Sequence, residues 1–525
     1  MKYTIIAFCL LCCSATLFSC QNDEWKEEIT KLQDELKIQR QLIEASQNNV
    51  FITDVVTTDG GYIITLSDGN KVTLQNGTNG SDGINGSQIT NISVDDDQMT
   101  FSFSDGTHIT LTVNKSEVNE ICLPAYLYML SDTRNDIFVE PFIKRWRPFD
   151  YTVSFVGNFY SRRLERVVSV DKPENDKKIT AGLYELKNFN KIATASSRIR
   201  LGVKGTGSSG VVAQIVGDSY TQGAFYKDAL LRKGYVPNLK LVGLRNVKVE
   251  TGEDKLFTAG QHDEGRNGAC MNWYFDVFTG NNRYHGFMHP DGDYRYWGAT
   301  EFWKLCFLVE KGERKDLEAT NGKYGDCLSR FNEDGYLKSP LKGDIQYDNA
   351  KGSFVMYDGN QWNNVRKDDF TWSFDYGKYL AMWDITPPKF FAEMLGLNDF
   401  RDNINADFST FNDQLRIMKE SYLKAVPSGR FIILIPCSTC GIMANKDGNF
   451  TIKQNFAMWR FRKNLIDNFD KKEAAGYYLC DIGITIDNED GYYYDDEGMQ
   501  TNQPHPYKNY PTMGIPLAAF IQYYR

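Results

Sequence analysis

The sequence predicts a multidomain chain that ends in a three-layer α/β domain built on a doubly wound parallel sheet. Three observations lead there. At 525 residues, 42% apolar and 24% charged, the chain is too long for one compact core and ordinary enough in composition to fold as several domains. After Gly210, short continuous apolar runs alternate with helix-like stretches, the pattern of strands buried on both faces and joined by crossover helices. From Leu123 to about Lys204, strand-like runs are instead separated by polar turns.

Met1 and Lys2 precede an apolar stretch, Ile5 to Phe18, that is too short to span a bilayer comfortably, so residues 1–19 read as a signal peptide. Leu17-Phe18-Ser19-Cys20 resembles a bacterial lipobox, which implies cleavage before Cys20 and lipid on its thiol and amine. Gln21-Asn22-Asp23-Glu24 resembles the acidic export signal of some Gram-negative lipoproteins. The expected location is therefore the outer membrane, lipid-anchored and facing the cell exterior. The 59 basic and 68 acidic residues leave a net charge of -9, with no basic block to grip phosphates, so nucleic acid is not an expected partner. Beyond Cys20 the cysteines are Cys122, Cys270, Cys306, Cys327, Cys437, Cys440 and Cys480, an odd number that leaves at least one unpaired. Cys437-Ser-Thr-Cys440 has the spacing of half a zinc site, but no second pair accompanies it, and a strand end with buried or paired thiols is the reading taken.

In residues 20–49, Trp25 and Leu32, and Ile29, Leu36 and Ile43, recur seven apart, which predicts a short coiled-coil helix. It is either a stalk that self-associates, giving a homo-oligomer, or a spacer against its neighbour. Residues 50–119 hold an internal repeat: Ile63-Ile-Thr-Leu-Ser-Asp-Gly69-Asn-Lys-Val-Thr-Leu74 returns as Thr100-Phe-Ser-Phe-Ser-Asp-Gly106-Thr-His-Ile-Thr-Leu111. Each copy reads as a β-hairpin around an Asp-Gly turn. Gly77, Gly80, Gly83 and Gly86 between them read as a flexible linker. This region resembles the coiled-coil and β-hairpin stalks of Gram-negative surface lipoproteins that process glycans.

Residues 120–209 predict a small β-sandwich, closed by a Gly205-to-Gly210 hinge. Residues 210–525 carry the alternating pattern: Val211 to Val216, then a helical stretch from Ala224 to Lys233 closing at Gly234. Further strands fall at Phe390 to Leu395, Phe431 to Ile435 and Tyr477 to Ile486, and a final helix at Ile515 to Tyr524. The aromatic-rich stretch of about 272–383 reads as an insertion over the strand ends, where ligands bind in such sheets.

The chemistry lies in four places. Val216-Gly-Asp-Ser219 stands between the first strand and first helix of this domain, so Ser219 occupies a strand-to-helix turn with its hydroxyl open to solvent. Glu264-Gly-Arg-Asn-Gly268, Met394-Leu-Gly-Leu-Asn398-Asp and Gln503-Pro-His505-Pro follow in order. Together they resemble the four blocks of the SGNH, or GDSL-like, hydrolases. The resemblance covers roughly Gly210 to Arg525 and implies a flavodoxin-like three-layer sheet. It also implies ester hydrolysis through an acyl-enzyme on Ser219, without metal or organic cofactor. His505 becomes the base, and the oxyanion is held by the Asn398 amide and the backbone N–H of Gly268, with Gly265 as the fallback. The family's Asp three residues before the histidine is replaced by Asn502. Either Asp495 or Asp496 substitutes for it, a backbone carbonyl does, or activity is lost; a working enzyme is the reading taken.

His289-Pro290 is a rival dipeptide that lies between the second and third blocks, and His262 and His285 are open only as substrate contacts. The aromatic-rich insertion of a surface lipoprotein suggests an acylated glycan as substrate, with loss of O-acetyl groups from a polysaccharide as the expected reaction. Trp297, Trp303, Trp362 and Trp372 either stack on sugar or fill the core. The competing readings are a surface glycan-binding or adhesion lipoprotein with a degenerate hydrolase domain, favoured by Asn502, and a lipase or thioesterase.

Overall fold

The computed structural model describes residues 52–58, 61–66, 71–75, 89–95, 98–103 and 108–112. It also describes 119–525, except 147–148, 158–159, 164–165, 224, 233, 252–253, 282–283, 318–322, 439–451, 489, 493–504, 507 and 509. The chain divides into two compact units, 1–118 and 119–525. Cys20, the heptad segment and the glycine-rich linker lie outside the described residues.

In the first unit each repeat copy is a three-stranded antiparallel meander, one strand more than the hairpin expected. The strands are Ile52–Thr58, Gly61–Leu66 and Lys71–Gln75, then Ile89–Asp95, Gln98–Phe103 and His108–Thr112. The expected hairpins are the second and third strand of each, with Ile63 opposite Thr73 and Thr100 opposite Thr110. The added first strand has a physical use, since a lone hairpin is marginal in water and a third strand widens the face it can bury.

The second unit opens with two sheets, one of four strands (Tyr126–Leu130, Lys191–Gly202, Lys178–Glu185, Tyr151–Val156, in spatial order) and one of three (Tyr160–Arg163, Val167–Lys172, Asn135–Phe138). Leu127, Met129, Ile179 and Leu183 from the first share one core with Ile137, Val168 and Val170 from the second, which makes a sandwich. It shares one compact unit with the residues that follow it. Ile484, from far along the chain, belongs to the same core, and a Cβ on Gly202 would lie 2.4 Å from the Ala519 carbonyl oxygen of the last helix. The 205–210 segment, expected as a hinge, is held by the Arg525 guanidinium on the carbonyls of Thr206 and Ser209.

The central sheet is numbered here from its first strand: β1 (Val211–Gly217), β2 (Leu239–Val242), β3 (Arg245–Thr251), β4 (Asp254–Gly265), β5 (Phe390–Met394), β6 (Arg430–Ile435) and β7 (Tyr477–Asp481). Its order is β3-β4-β1-β5-β6-β7. β2 pairs with the first half of β1, and the end of β4 pairs with Val216 and Gly217. All these pairs are parallel except β3 with β4. The chain thus grows to one side of β1 and then, from β5, to the other, which puts a topological switch point at the carboxyl ends of β1 and β5.

Helices cover both faces. Phe390 and Phe391 are consecutive on β5 and so point to opposite sides. Phe390 meets Phe520 of the last helix at 6.2 Å between ring centroids, while Phe391 meets Tyr376 and Tyr422 at 5.3 and 5.1 Å. In chain order the helices labelled here are α1 (Ser219–Gln222), α2 (Phe225–Arg232), α3 (Thr300–Glu310), α4 (Tyr376–Trp383), α5 (Leu397–Phe400), α6 (Ser409–Ala425), α7 (Ile452–Phe469) and α8 (Tyr510–Tyr524), and a further single turn, Gly325–Leu328, lies in the insertion.

Between β4 and β5 the insertion builds its own four-stranded sheet, Arg295–Ala299, Asp344–Asp348, Ser353–Tyr357 and Trp362–Val365. Its end is earlier than the sequence suggested. Tyr376 and Tyr379 of α4 bond the Gln214 side chain of β1 at 2.6 and 2.8 Å, so α4 lies on the sheet as a crossover helix does. Among the described residues no helix is long and apolar enough to cross a membrane.

Candidate active site

Ser219 is the first residue of α1, directly beyond β1. The preceding Asp218 caps that helix, its Oδ1 accepting the Tyr220 N–H at 3.0 Å. Asp218 is fully buried, and burial pushes its carboxyl up to about 7 against the pull of that backbone bond. On the neighbouring strand, β5 ends at Met394 and the chain turns through Gly396, whose φ of +103° suits glycine and where a Cβ would lie 2.2 Å from the Phe461 ring. Asn398 follows in α5. Its Nδ2 lies 3.1 Å from the Ala269 carbonyl and, more loosely, 3.4 Å from Asp218 Oδ2, while its Oδ1 faces Arg401 Nη1 at 3.5 Å.

The glycine block is beside them. Gly265 pairs with Gly217, and the chain then turns through Arg266–Ala269, closed by the Ala269 N–H on the Arg266 carbonyl at 3.0 Å. Gly268 holds the third position of that turn with φ +71°, a conformation that a type II turn reserves for glycine. The turn alone therefore accounts for glycine at 268, apart from any role its N–H has toward a substrate. Asp399, adjacent to Asn398, ties the two blocks: Oδ2 accepts the Gly396 N–H at 3.1 Å and Oδ1 the Met271 N–H at 2.9 Å. Its buried carboxyl is pushed up to about 6. Sequence reasoning assigned it nothing, although it stands next to Asn398.

His505 approaches from the far end of the chain. Its Nε2 lies 2.9 Å from Ser219 Oγ, across 286 residues of sequence. The ring is half-buried, 5.3 Å from the Tyr220 ring, and burial first, then the positive charge of Arg401, lowers its pKa to about 4. The imidazole is consequently neutral near pH 7. With the proton on Nδ1, the serine hydroxyl donates to Nε2. Arg401 and Tyr220 were not singled out in the sequence, and neither carries a local signal there.

The rivals are used elsewhere. His289 is fully buried; Nδ1 accepts the Tyr296 N–H at 3.3 Å, so Nε2 carries the proton and donates to the Gly286 carbonyl at 2.8 Å. His285 is built the same way, between the Phe287 N–H and the Asp276 carbonyl, so it is not an open substrate contact. His262 lies 3.3 Å from Asp326. Trp303 and Trp297 are core residues, Trp303 stacked on Phe331 at 4.2 Å, whereas Trp362 and Trp372 keep part of their surface open. The Cys437 thiol is buried and donates to Tyr220 Oη at 3.3 Å, and burial pushes it up to about 12. Among the described residues Cys122, Cys270, Cys306, Cys327, Cys437 and Cys480 form no disulfide with one another. Asn502, Asp495, Asp496 and Cys440 lie outside the described residues. Among the described residues no group of three or more His, Cys, Asp or Glu side chains is arranged to hold a metal.

Residues 22–101 match a family described as a domain of unknown function, DUF4988. No curated protein matches the chain. Solved structures that match include a carbohydrate esterase family 3 protein from Talaromyces cellulolyticus, 11% identical, with TM-score 0.27, covering 59% of this chain and 98% of its own. A carbohydrate acetylesterase from Sinorhizobium meliloti is 9% identical, with TM-score 0.23 over 59% of this chain and 98% of its own. A peptidoglycan O-acetylesterase is 12% identical, with TM-score 0.24 over 61% of this chain and 92% of its own. At these values the likeness assigns neither an activity nor a substrate to this chain.

Proposed function

We propose that this chain is a serine esterase that removes ester groups, most specifically O-acetyl groups of a polysaccharide, through an acyl-enzyme on Ser219. The observation that carries the reading is the 2.9 Å contact between His505 Nε2 and Ser219 Oγ at the switch point of the sheet, with Asn398 at the end of the adjacent strand. A nucleophile within hydrogen-bond reach of a neutral base is the arrangement that acyl transfer needs.

In the first step Ser219 Oγ attacks the ester carbonyl carbon while His505 Nε2 takes its proton. The electrons of the C=O bond move to oxygen, and that oxyanion is held by the Asn398 amide and the Gly268 N–H. When the tetrahedral adduct collapses, the C–O bond to the sugar breaks and His505 returns the proton to the leaving hydroxyl. Water, deprotonated by His505, then releases acetate from Ser219. An acid that steadies the imidazolium comes, on this reading, from the loop of Asp495 and Asp496 or from a backbone carbonyl there. Cys20 is the lipid anchor that holds the esterase on the outer face of the outer membrane, and the N-terminal helix joins copies there.

The test uses purified soluble protein with aryl acetate and acetylated-glycan substrates. Ser219→Ala and His505→Ala should each abolish turnover with the fold intact, and a fluorophosphonate should label Ser219 alone. Wild type that hydrolyses no ester and resists the probe would instead leave the glycan-binding reading. Fatty-acid labelling in cells should mark the wild type and not Cys20→Ala; labelling that survives the change removes the anchor.

A further inference from the structure

The loop that carries His505 is supported by a part of the molecule to which no chemistry has been assigned. Arg166 stands at the start of a sandwich strand, Val167–Lys172, and its guanidinium reaches across to the segment after β7. Nη1 and Nη2 lie 3.0 and 3.4 Å from the two carboxylate oxygens of Asp487, a bidentate pair, and Nη2 lies 3.2 Å from Asp490 Oδ2. Asp487 is itself a turn organiser. Its Oδ1 accepts the Asp490 N–H at 3.0 Å and its carbonyl accepts the Gly491 N–H at 2.9 Å. The Gly491 carbonyl in turn accepts the N–H of Lys508, three residues beyond His505, at 3.1 Å.

The same segment is held from its other side, where Asn488 Nδ2 bonds Ser438 Oγ at 2.8 Å and the Tyr492 hydroxyl bonds the Ser438 carbonyl at 3.2 Å. The turn from Asp487 to Gly491 is thus clamped between the sandwich and the end of β6, and its last carbonyl is the acceptor for the histidine loop. The Arg166 side chain is one-fifth exposed, and the carboxylate of Glu140, also from the sandwich, lies 3.6 Å away on Nη1. A guanidinium facing three carboxylates is a rigid fork, where a lysine would offer a single mobile point charge.

We propose that Arg166 is a positioning residue for His505: by fixing the Asp487-to-Gly491 turn it sets the loop that brings Nε2 to Ser219 Oγ, which makes the sandwich part of the esterase. This rests on the esterase reading above. A base must sit within hydrogen-bond reach, and a displacement of about 1 Å costs roughly a hundredfold in rate. Support removed from a loop, rather than from the base itself, therefore lowers kcat and leaves ester binding near its former strength.

The test compares full-length wild type with Arg166→Ala, Arg166→Lys and Asp487→Asn, reading kcat, KM, the rate of fluorophosphonate labelling at Ser219, near-ultraviolet circular dichroism and Tm. The expected result for Arg166→Ala is a kcat lower by about tenfold to a hundredfold, KM within about threefold, labelling slowed in parallel and an unchanged near-ultraviolet spectrum. Arg166→Lys should recover part of the loss, and Asp487→Asn should reproduce it in milder form. Arg166→Ala with wild-type kcat overturns the proposal. If Arg166→Ala does not fold, Asp487→Asn decides in the same way, because it keeps the side-chain volume and removes the charge that pairs with the guanidinium; unchanged kcat there overturns the proposal too. An active wild type beside active variants removes only this role, whereas a wild type that neither turns over nor labels removes the esterase reading with it.

Discussion

Ser219 and Asn398 stand at the carboxyl ends of neighbouring strands, β1 and β5, whereas His505 stands on a loop leading into α8 and reaches Ser219 across 286 residues. The first two are placed by paired backbone and by two buried carboxylates, Asp218 and Asp399, each accepting a backbone N–H within a few residues. The histidine is placed by a turn that the sandwich props from outside. The difference teaches that one side of this site is a local product of the sheet, while the other is assembled from parts that meet only when the whole unit folds. The sheet side should therefore respond to mutation as chemistry does, and the loop side as positioning does.

Short of replacing Ser219 or His505 themselves, the largest expected effect falls on the sheet side. On the proposed esterase mechanism Asn398→Ala removes an oxyanion donor from a strand end and should lower kcat about a hundredfold to a thousandfold with little change in KM. A loss below about fivefold in a folded variant would mean that the strand end does not face the oxyanion. Smaller, at about tenfold, is the effect expected for Asp399→Asn, which replaces one of two acceptors by a donor and loosens the tie between Gly396 and Met271. Steady-state kinetics beside Asn398→Ala should show a double variant no worse than Asn398→Ala alone, because both changes disable one device.

The histidine side is sharpened by pH. His505 has its pKa lowered to about 4, so the neutral base persists down to that pH and the acid limb of kcat/KM should fall near pH 4 rather than near the ordinary imidazole value. Arg401→Gln removes the charge that opposes protonation. The pKa of His505 then rises, and the acid limb should move to higher pH, with kcat at pH 8 reduced less than threefold. A limb that stays in place shows that Arg401 does not act on the imidazole. The smallest effect belongs to the first unit: a chain starting at Asn119 should keep kcat/KM within about twofold on a soluble ester. The cut belongs before Asn119 rather than at Leu123, since the Asn119 side chain bonds the Arg145 carbonyl at 2.8 Å and Ile121 bridges Ile143.

Four strands of the central sheet, β1, β5, β6 and β7, were legible because their signal is local, whereas β2, β3 and β4 were not recognised. A run such as Val211 to Val216 is apolar at every position but Gln214, as suits a strand covered on both faces, and the residues after it fall in the crevice at its end. The aromatic insertion was misread in part for the converse reason. Tyr376 to Trp383 has no signal separating it from the aromatic residues before it, and only its bonds to Gln214 make it a layer of the main fold. The sandwich was legible as strands, but its attachment was not, because Arg166, Gly202 and Ala125 find their partners more than 300 residues away.

The sequence by itself determined four parallel strands of the central sheet and the strand-end place of Ser219. Each follows from hydrophobic periodicity or from a backbone conformation that a few neighbouring residues impose. Only the tertiary structure brought His505, which the family resemblance had marked, to the serine and took up His289 elsewhere, set Asp399 and Arg401 beside the site, and joined the sandwich to the unit. Those outcomes depend on which polar groups meet across the fold: both ring nitrogens of His289 are taken by the Tyr296 N–H and the Gly286 carbonyl, while Nε2 of His505 meets Ser219 Oγ. The two rings look alike in sequence, because the groups that take up His289 are backbone atoms that every residue carries.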